Sequence, residues 1–446
     1  MGSLVVRSER VVLPDGTRPA ALHIADGRII HVGPGDHRPA GVPELDAGSL
    51  VVMPGLVDTH VHVNDPGRSD WEGFEHATRA AAAGGVTTLV DMPLNSVPAT
   101  TTLQGLEAKR RAADGRCHVD VALWGGVVPG NCRDLPALAQ AGVPGFKCFL
   151  SPSGVDEFEH VGEADLRRAL PVLASLGLPL LVHAELPALL VPPDGDPRAY
   201  GTWLASRPPA AEVAAIELLG RLSREYGAHI HVVHLAAAEA LPLVRQLRRD
   251  GVQLTVETCP HYLTFGAEEI QDGATAWKCA PPIRSAANRE ALWQALHAGD
   301  IDLIASDHSP APASLKSVED GDFVTAWGGI ASLQVGLPAI WTQASARSLS
   351  LNRVARWMST TPAQLAGLSS KGQISPGADA DLVLFDPDAS WVVDPATLHH
   401  RHPLTPYAGM TLRGVVRRTI VRGETVFADG QVMPGVHGRM MIGSRA

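Results

Sequence analysis

The chain has 446 residues and a formal net charge of -10 at pH 7. That length exceeds what one small core organises and suits a large domain with a small one attached. The acidic balance and dispersed Lys and Arg argue against a nucleic-acid partner, and no apolar run reaches the ~20 residues needed to cross a bilayer.

The opening segment MGSLVVRSERVVLPDG has no basic stretch followed by an apolar one, so a soluble, cytoplasmic protein is expected. Cys117, Cys132, Cys148, Cys259 and Cys279 are widely spaced and form no C-x-x-C pair. They read as buried small hydrophobes, not as a disulfide or zinc-thiolate framework. Lysine occurs only at positions 109, 147, 278, 316 and 371. A lysine inside an apolar segment of such a chain therefore needs a specific reason.

Residues 1–54 give short alternating runs, LVVRS, ALHIA and RIIHVG, cut by turn residues such as Pro14-Asp15-Gly16 and Asp26-Gly27. This patterning predicts small-sheet strands. Over residues 55–370 the rhythm changes to apolar runs followed by Ala- and Leu-rich helical stretches. Eight strands are expected: GLVDTHVH (55–62), TTLVDMP (87–93), HVDVALW (118–124), GFKCFL (145–150), PLLVHAE (179–185), HIHVVHL (229–235), QLTVETC (253–259) and DLIASDH (302–308). Strands alternating with helices in this number, without a G-x-G-x-x-G fingerprint, predict a closed (β/α)₈ barrel of the TIM type. Residues 371–446 return to short runs, DADLVLFDP, WVVDP and GVVRRTIVRGETVFADGQVM, so the two ends can form one β-domain.

In such a barrel the active site lies at the carboxyl ends of the strands. There the first strand carries His60 and His62, two imidazoles on one face because strand side chains alternate. The fifth ends with His183, the sixth with His234 and the eighth with Asp307, while Lys147 sits inside the fourth. A lone histidine in a strand is more often a hydrogen-bonded structural residue than a ligand. Six candidates at one end of one barrel reverse that balance. His229, His231, His118 and His308 are expected to be structural.

Imidazole and carboxylate donors suit a borderline divalent ion such as Zn²⁺. Lys147 has two readings: an uncharged amine that reacts with carbon dioxide to a metal-bridging carbamate, or a buried lysine paired with a nearby aspartate.

PGLVDTHVH, GFKCFL, LVHAE, HVVHLA and IASDHSP resemble the binuclear amidohydrolases of the dihydroorotase, hydantoinase and allantoinase branch, along essentially the whole chain. The resemblance implies a barrel flanked by a β-sandwich from both termini, with His60, His62, carboxylated Lys147, His183, His234 and Asp307 holding two divalent ions. Zn²⁺ is the expected metal, with Mn²⁺, Co²⁺ or Fe²⁺ as alternatives, and a homo-oligomer such as a tetramer is implied.

THVHVNDPGRSDWEGFEHAT, GGVTTLVDMPLNSVPAT, AWGGIASLQ and LTPYAGMTLRGVV are similar to the allantoinase family more than to its relatives. Dihydroorotases carry an Arg two residues after the H-x-H, where this chain has Asn64. Hydantoinases place a Tyr shortly after the metal-binding Lys, and residues 148–154 contain none. The resemblance makes Asn64, Asn95 and Ser309 substrate contacts and Asp307 the general base and acid. The activity it implies is ring opening of allantoin to allantoate. The alternatives are the same chemistry on hydantoin, dihydropyrimidine or dihydroorotate, and a metal-free scaffold that has lost its ligands.

Overall fold

The computed structural model describes residues 2–37 and 40–443. Eight parallel strands form the barrel: Leu56–Val61, Val86–Asp91, Asp120–Leu123 (continued by Gly125–Gly126), Phe146–Phe149, Leu180–His183, Ile230–Val232, Leu254–Thr258 and Leu303–Ile304. Nearly every residue of these segments is buried, which is why they read as apolar runs without alternation. Adjacent strands pair in parallel register, for example Phe149 with His183 and Val182 with Val232. The ring closes where Val61 bridges His308 and the His62 amide donates to the His308 carbonyl at 2.8 Å.

Helices cover the outside. The longest, Pro209–Tyr226, starts on a proline that needs no donor there and stops at Gly227, whose φ of 68° ends the helix in a left-handed turn. Inside the barrel, Val57, Val90, Ala122, Trp124, Leu181 and Leu303 belong to one apolar cluster that plugs the channel beneath the strand ends.

The two ends of the chain build a second, nine-stranded sheet. Val51–Pro54 pairs antiparallel with Leu382–Val392, joining the amino-terminal strands to the carboxyl-terminal ones. Val6, Leu22, Ile29, Val52, Leu382 and Ile420 share its separate core. Lys371 ties this region to the barrel: its buried ammonium meets Asp120 at 2.6 Å, Asp381 at 2.7 Å and Asp379 at 3.0 Å. No helix among the described residues is long and apolar enough to cross a membrane.

Candidate metal centre

The six strand-end candidates converge. Asp307 Oδ1 lies 3.1 Å from His60 Nε2 and 3.3 Å from His62 Nε2. The His60 ring is 5.4 Å from that of His234, which is 4.7 Å from that of His183. Lys147 is fully buried beside Phe149, with its Nζ 5.0 Å from the ring centre.

Each imidazole is oriented from behind. His60 Nδ1 donates to Glu257 Oε1 at 2.5 Å, and His231 Nε2 donates to the other carboxylate oxygen at 3.0 Å. His183 Nε2 donates to Glu185 Oε2 at 2.6 Å, and Arg207 in turn pairs with Glu185 at 2.5 Å. With those protons placed, His60 Nε2 and His183 Nδ1 carry the lone pairs that face the centre. His183 Nδ1 stands 3.1 Å from His234 Nε2.

Electrostatics follow from burial among these groups. Burial pulls His62 down to about 4 and, joined by His183, holds His234 well below its ordinary value. Burial also lowers Lys147 to about 8, against the pull of Asp307 and Glu257. Asp307 is held well below the usual carboxylate range: burial opposes this, but His60, His62 and His234 outweigh it. The site thus gathers buried imidazoles, an ionised carboxylate and an amine that loses its proton easily, all suited to a divalent cation.

Backbone strain collects at the same place. His234 (φ 40°), Asp307 (φ 46°), Asn64 (φ 66°) and Asn95 (φ 64°) hold left-handed conformations. Each costs about 1–3 kcal/mol for a residue with a side chain, and such residues cluster at functional sites. In the first strand the register breaks between Asp58 and Val61, where the Asp58 carboxylate accepts the His60 and Ser306 amides at 3.1 Å each.

Above the centre lies a cavity of about 260 Å³, lined by His60, His62, His183, His234 and Asp307 together with Asn95, Ser309 and Trp327. A larger cleft of about 980 Å³, bordered by His229, His297 and Trp357, opens near the other end of the barrel and holds none of these groups. Size therefore does not mark the site; the donor set does. Asn95 faces the cavity with its Oδ1 unpartnered, and Ser309 sits in its wall. Asn64 is buried outside the lining, its amide donating to the Pro310 carbonyl at 3.4 Å.

Several contributors escape sequence reasoning. Glu257 and Glu185 gave the same signal as Lys147, a charge inside an apolar run. Arg207 and Lys278, also in the cavity wall, lie in loops and gave none. His231, expected to be structural, buttresses Glu257.

A model described as "Amidohydrolase family" matches residues 51–426, most of the chain. The chain belongs to the amidohydrolase family. This amidohydrolase is 55% identical over 431 residues to the allantoinase of Streptomyces avermitilis, covering 96% of both chains. It is 46% identical to the allantoinase of Arabidopsis thaliana, over 96% of this chain and 88% of the relative. Among solved structures it superimposes on an L-hydantoinase (dihydropyrimidinase) from Arthrobacter aurescens with a TM-score of 0.93 and 32% identity, covering 99% of this chain and all of that one. Dihydropyrimidinase from Brevibacillus agri gives a TM-score of 0.89 at 26% identity, over 98% of each. These relatives put it in the allantoinase branch, as a metal-dependent enzyme acting on cyclic amides.

Proposed function

We propose that this amidohydrolase opens the hydantoin ring of allantoin to give allantoate. The carrying observation is that Arg207 and Lys278, the Arg and Lys side chains that line the cavity among the described residues, are already committed. Arg207 is paired with Glu185, and Lys278 donates to the Val324 and Ala326 carbonyls at 3.0 and 2.5 Å; Arg68, outside the lining, is paired with Glu157. A substrate carboxylate entering here would be desolvated without a free partner, at substantial cost. A neutral ring with a ureido group needs only hydrogen bonds, which Asn95 and Ser309 supply.

His60, His62, Lys147 as a carbamate, His183, His234 and Asp307 would hold two divalent ions, Zn²⁺ being the first choice. The residues fit: Lys147 Nζ is fully buried with no hydrogen-bond partner, and donors of His60, His62 and Asp307 lie within 4.8 Å of one another. Such ions lower the pKa of an attacking water and polarise the scissile carbonyl. Asp307 accepts the proton of that water and returns it to the departing ring nitrogen. Asn95 and Ser309 orient the ring, and the strand-8 loop around Trp327 limits bulk water.

A turnover screen of allantoin, hydantoin, dihydrouracil and dihydroorotate tests this reading. Allantoin should have the highest kcat/KM, with dihydroorotate lower by roughly tenfold to a hundredfold, the worth of one charge-assisted bond. Equal kcat/KM for allantoin and dihydroorotate would overturn it.

A further inference from the structure

Far from the barrel centre in sequence, three histidines meet on the sheet built by the chain ends. His23 lies in Gly16–Ala25 and His31 in Arg28–Gly33, adjacent antiparallel strands in which these two residues are direct partners. Side chains directly opposite one another on an antiparallel pair share a face, with Cβ atoms about 4.5–5.5 Å apart. Their rings stand 5.4 Å apart, and His37, from the segment that follows, brings its ring to 4.7 Å from His23.

His37 Nδ1 is 3.1 Å from His23 Nε2. Two imidazole nitrogens bound to one ion at ~2.0–2.1 Å each stand ~3.3 Å apart in a tetrahedral shell, so this pair is already near chelating separation. Gly33 leaves room for the two rings: a Cβ there would lie 3.2 Å from His31 Nε2 and 3.3 Å from His37 Nδ1. Any larger residue at 33 would therefore crowd both nitrogens. The His31 and His37 rings are 6.3 Å apart, so the exposed His31 side chain has to turn toward the other two rings to complete a three-donor set.

Among the described residues no carboxylate hydrogen-bonds these rings. Burial, followed by the proximity of His37 and His31, lowers the pKa of His23, which favours the neutral form of its ring that can ligate.

We propose that His23, His31 and His37 form a binding site for a divalent transition-metal ion of the Ni²⁺, Cu²⁺ or Zn²⁺ class, separate from the catalytic centre. The ion would clip the segment holding His37 onto the last strand of the terminal sheet. Imidazole is a common ligand for these ions, and three such donors leave room for solvent on an exposed site.

The test uses the untagged, metal-replete enzyme dialysed against Ni²⁺, with bound metal measured against protein. One further equivalent of Ni²⁺ should bind beyond the catalytic complement, and the triple variant H23A/H31A/H37A should lose it while keeping its kcat/KM. H31A alone should weaken Ni²⁺ binding by roughly tenfold or more, since a ligand is lost. The proposal fails if the wild type takes up no further equivalent, if the triple variant takes up as much, or if H31A binds with unchanged affinity. Substitutions at these solvent-facing rings leave the sheet core intact, and circular dichroism verifies the fold of each variant.

Discussion

Glu257 Oε1 accepts the Nδ1 proton of His60 at 2.5 Å while Oε2 accepts from His231 at 3.0 Å, so one carboxylate in the seventh strand aims an imidazole of the first. Burial would raise this carboxylate, but His60 and His231 hold it down to about 2. It is therefore an anion throughout the working range, and it fixes the tautomer in which His60 Nε2 presents its lone pair to the centre.

Glu257→Gln keeps the shape and removes the charge. Partners behind a ligand imidazole are typically worth 10- to 100-fold in metal affinity, so the variant should release metal to a chelator at correspondingly lower concentration. Unchanged retention would show that Glu257 is only packing.

Lys147→Met should remove activity by about 10³-fold or more if Lys147 carries the proposed carbamate, because that group would be lost. It should also leave the metal-free protein at least as stable as the parent, since a buried amine without a partner costs free energy that a methionine does not. Short carboxylic acids added to Lys147→Ala should restore part of the turnover. An unmodified ammonium at 147 in an active, metal-replete enzyme sinks the carbamate assignment.

Asp307→Asn retains the hydrogen-bonding outline but cannot take a proton from water. Its kcat should fall roughly 10²-fold or more with the fold intact. Turnover near that of the parent would move the role to another residue.

The strand-8 loop offers a pH test away from the metal ligands. Lys316 Nζ donates to the Gly329 carbonyl at 2.6 Å and the Trp327 carbonyl at 3.0 Å, holding the cavity wall in place. Burial pulls Lys316 down to about 7 from its ordinary 10.5. Between those values the unfolded chain binds more protons, so the Lys316 contribution to stability rises with pH. The Tm of the parent minus that of Lys316→Met should therefore increase from pH 7 to pH 9. A difference that stays flat or shrinks contradicts the argument. Loosening of the wall should also raise KM more than it lowers kcat.

The barrel was legible because parallel strands buried on both faces must be written as apolar runs, and a polar residue at the end of such a run stands out. His60, His62, His183, His234 and Asp307 were visible for that reason, and Lys147 because lysine is rare in this chain and its strand apolar. Glu257 and Glu185 were equally visible in principle, as carboxylates in apolar runs, yet no local pattern says which imidazole Glu257 serves.

Only the tertiary structure decided the pairing of His60 with Glu257, because the two are close in space and far apart in sequence, whereas Glu185 serves His183 just two residues away. It also decided that Asn64, on a left-handed backbone that one-dimensional periodicity does not encode, donates to the Pro310 carbonyl and lies outside the cavity lining. The same holds for His23, His31 and His37: the sequence lists three ordinary surface histidines, and antiparallel register with a glycine beneath them makes a cluster. Sequence by itself determined which side chains were available and on which strand they sat, since burial writes itself into hydrophobic pattern. Which of them touch depends on barrel closure and strand register, and those are set by the whole chain folding at once.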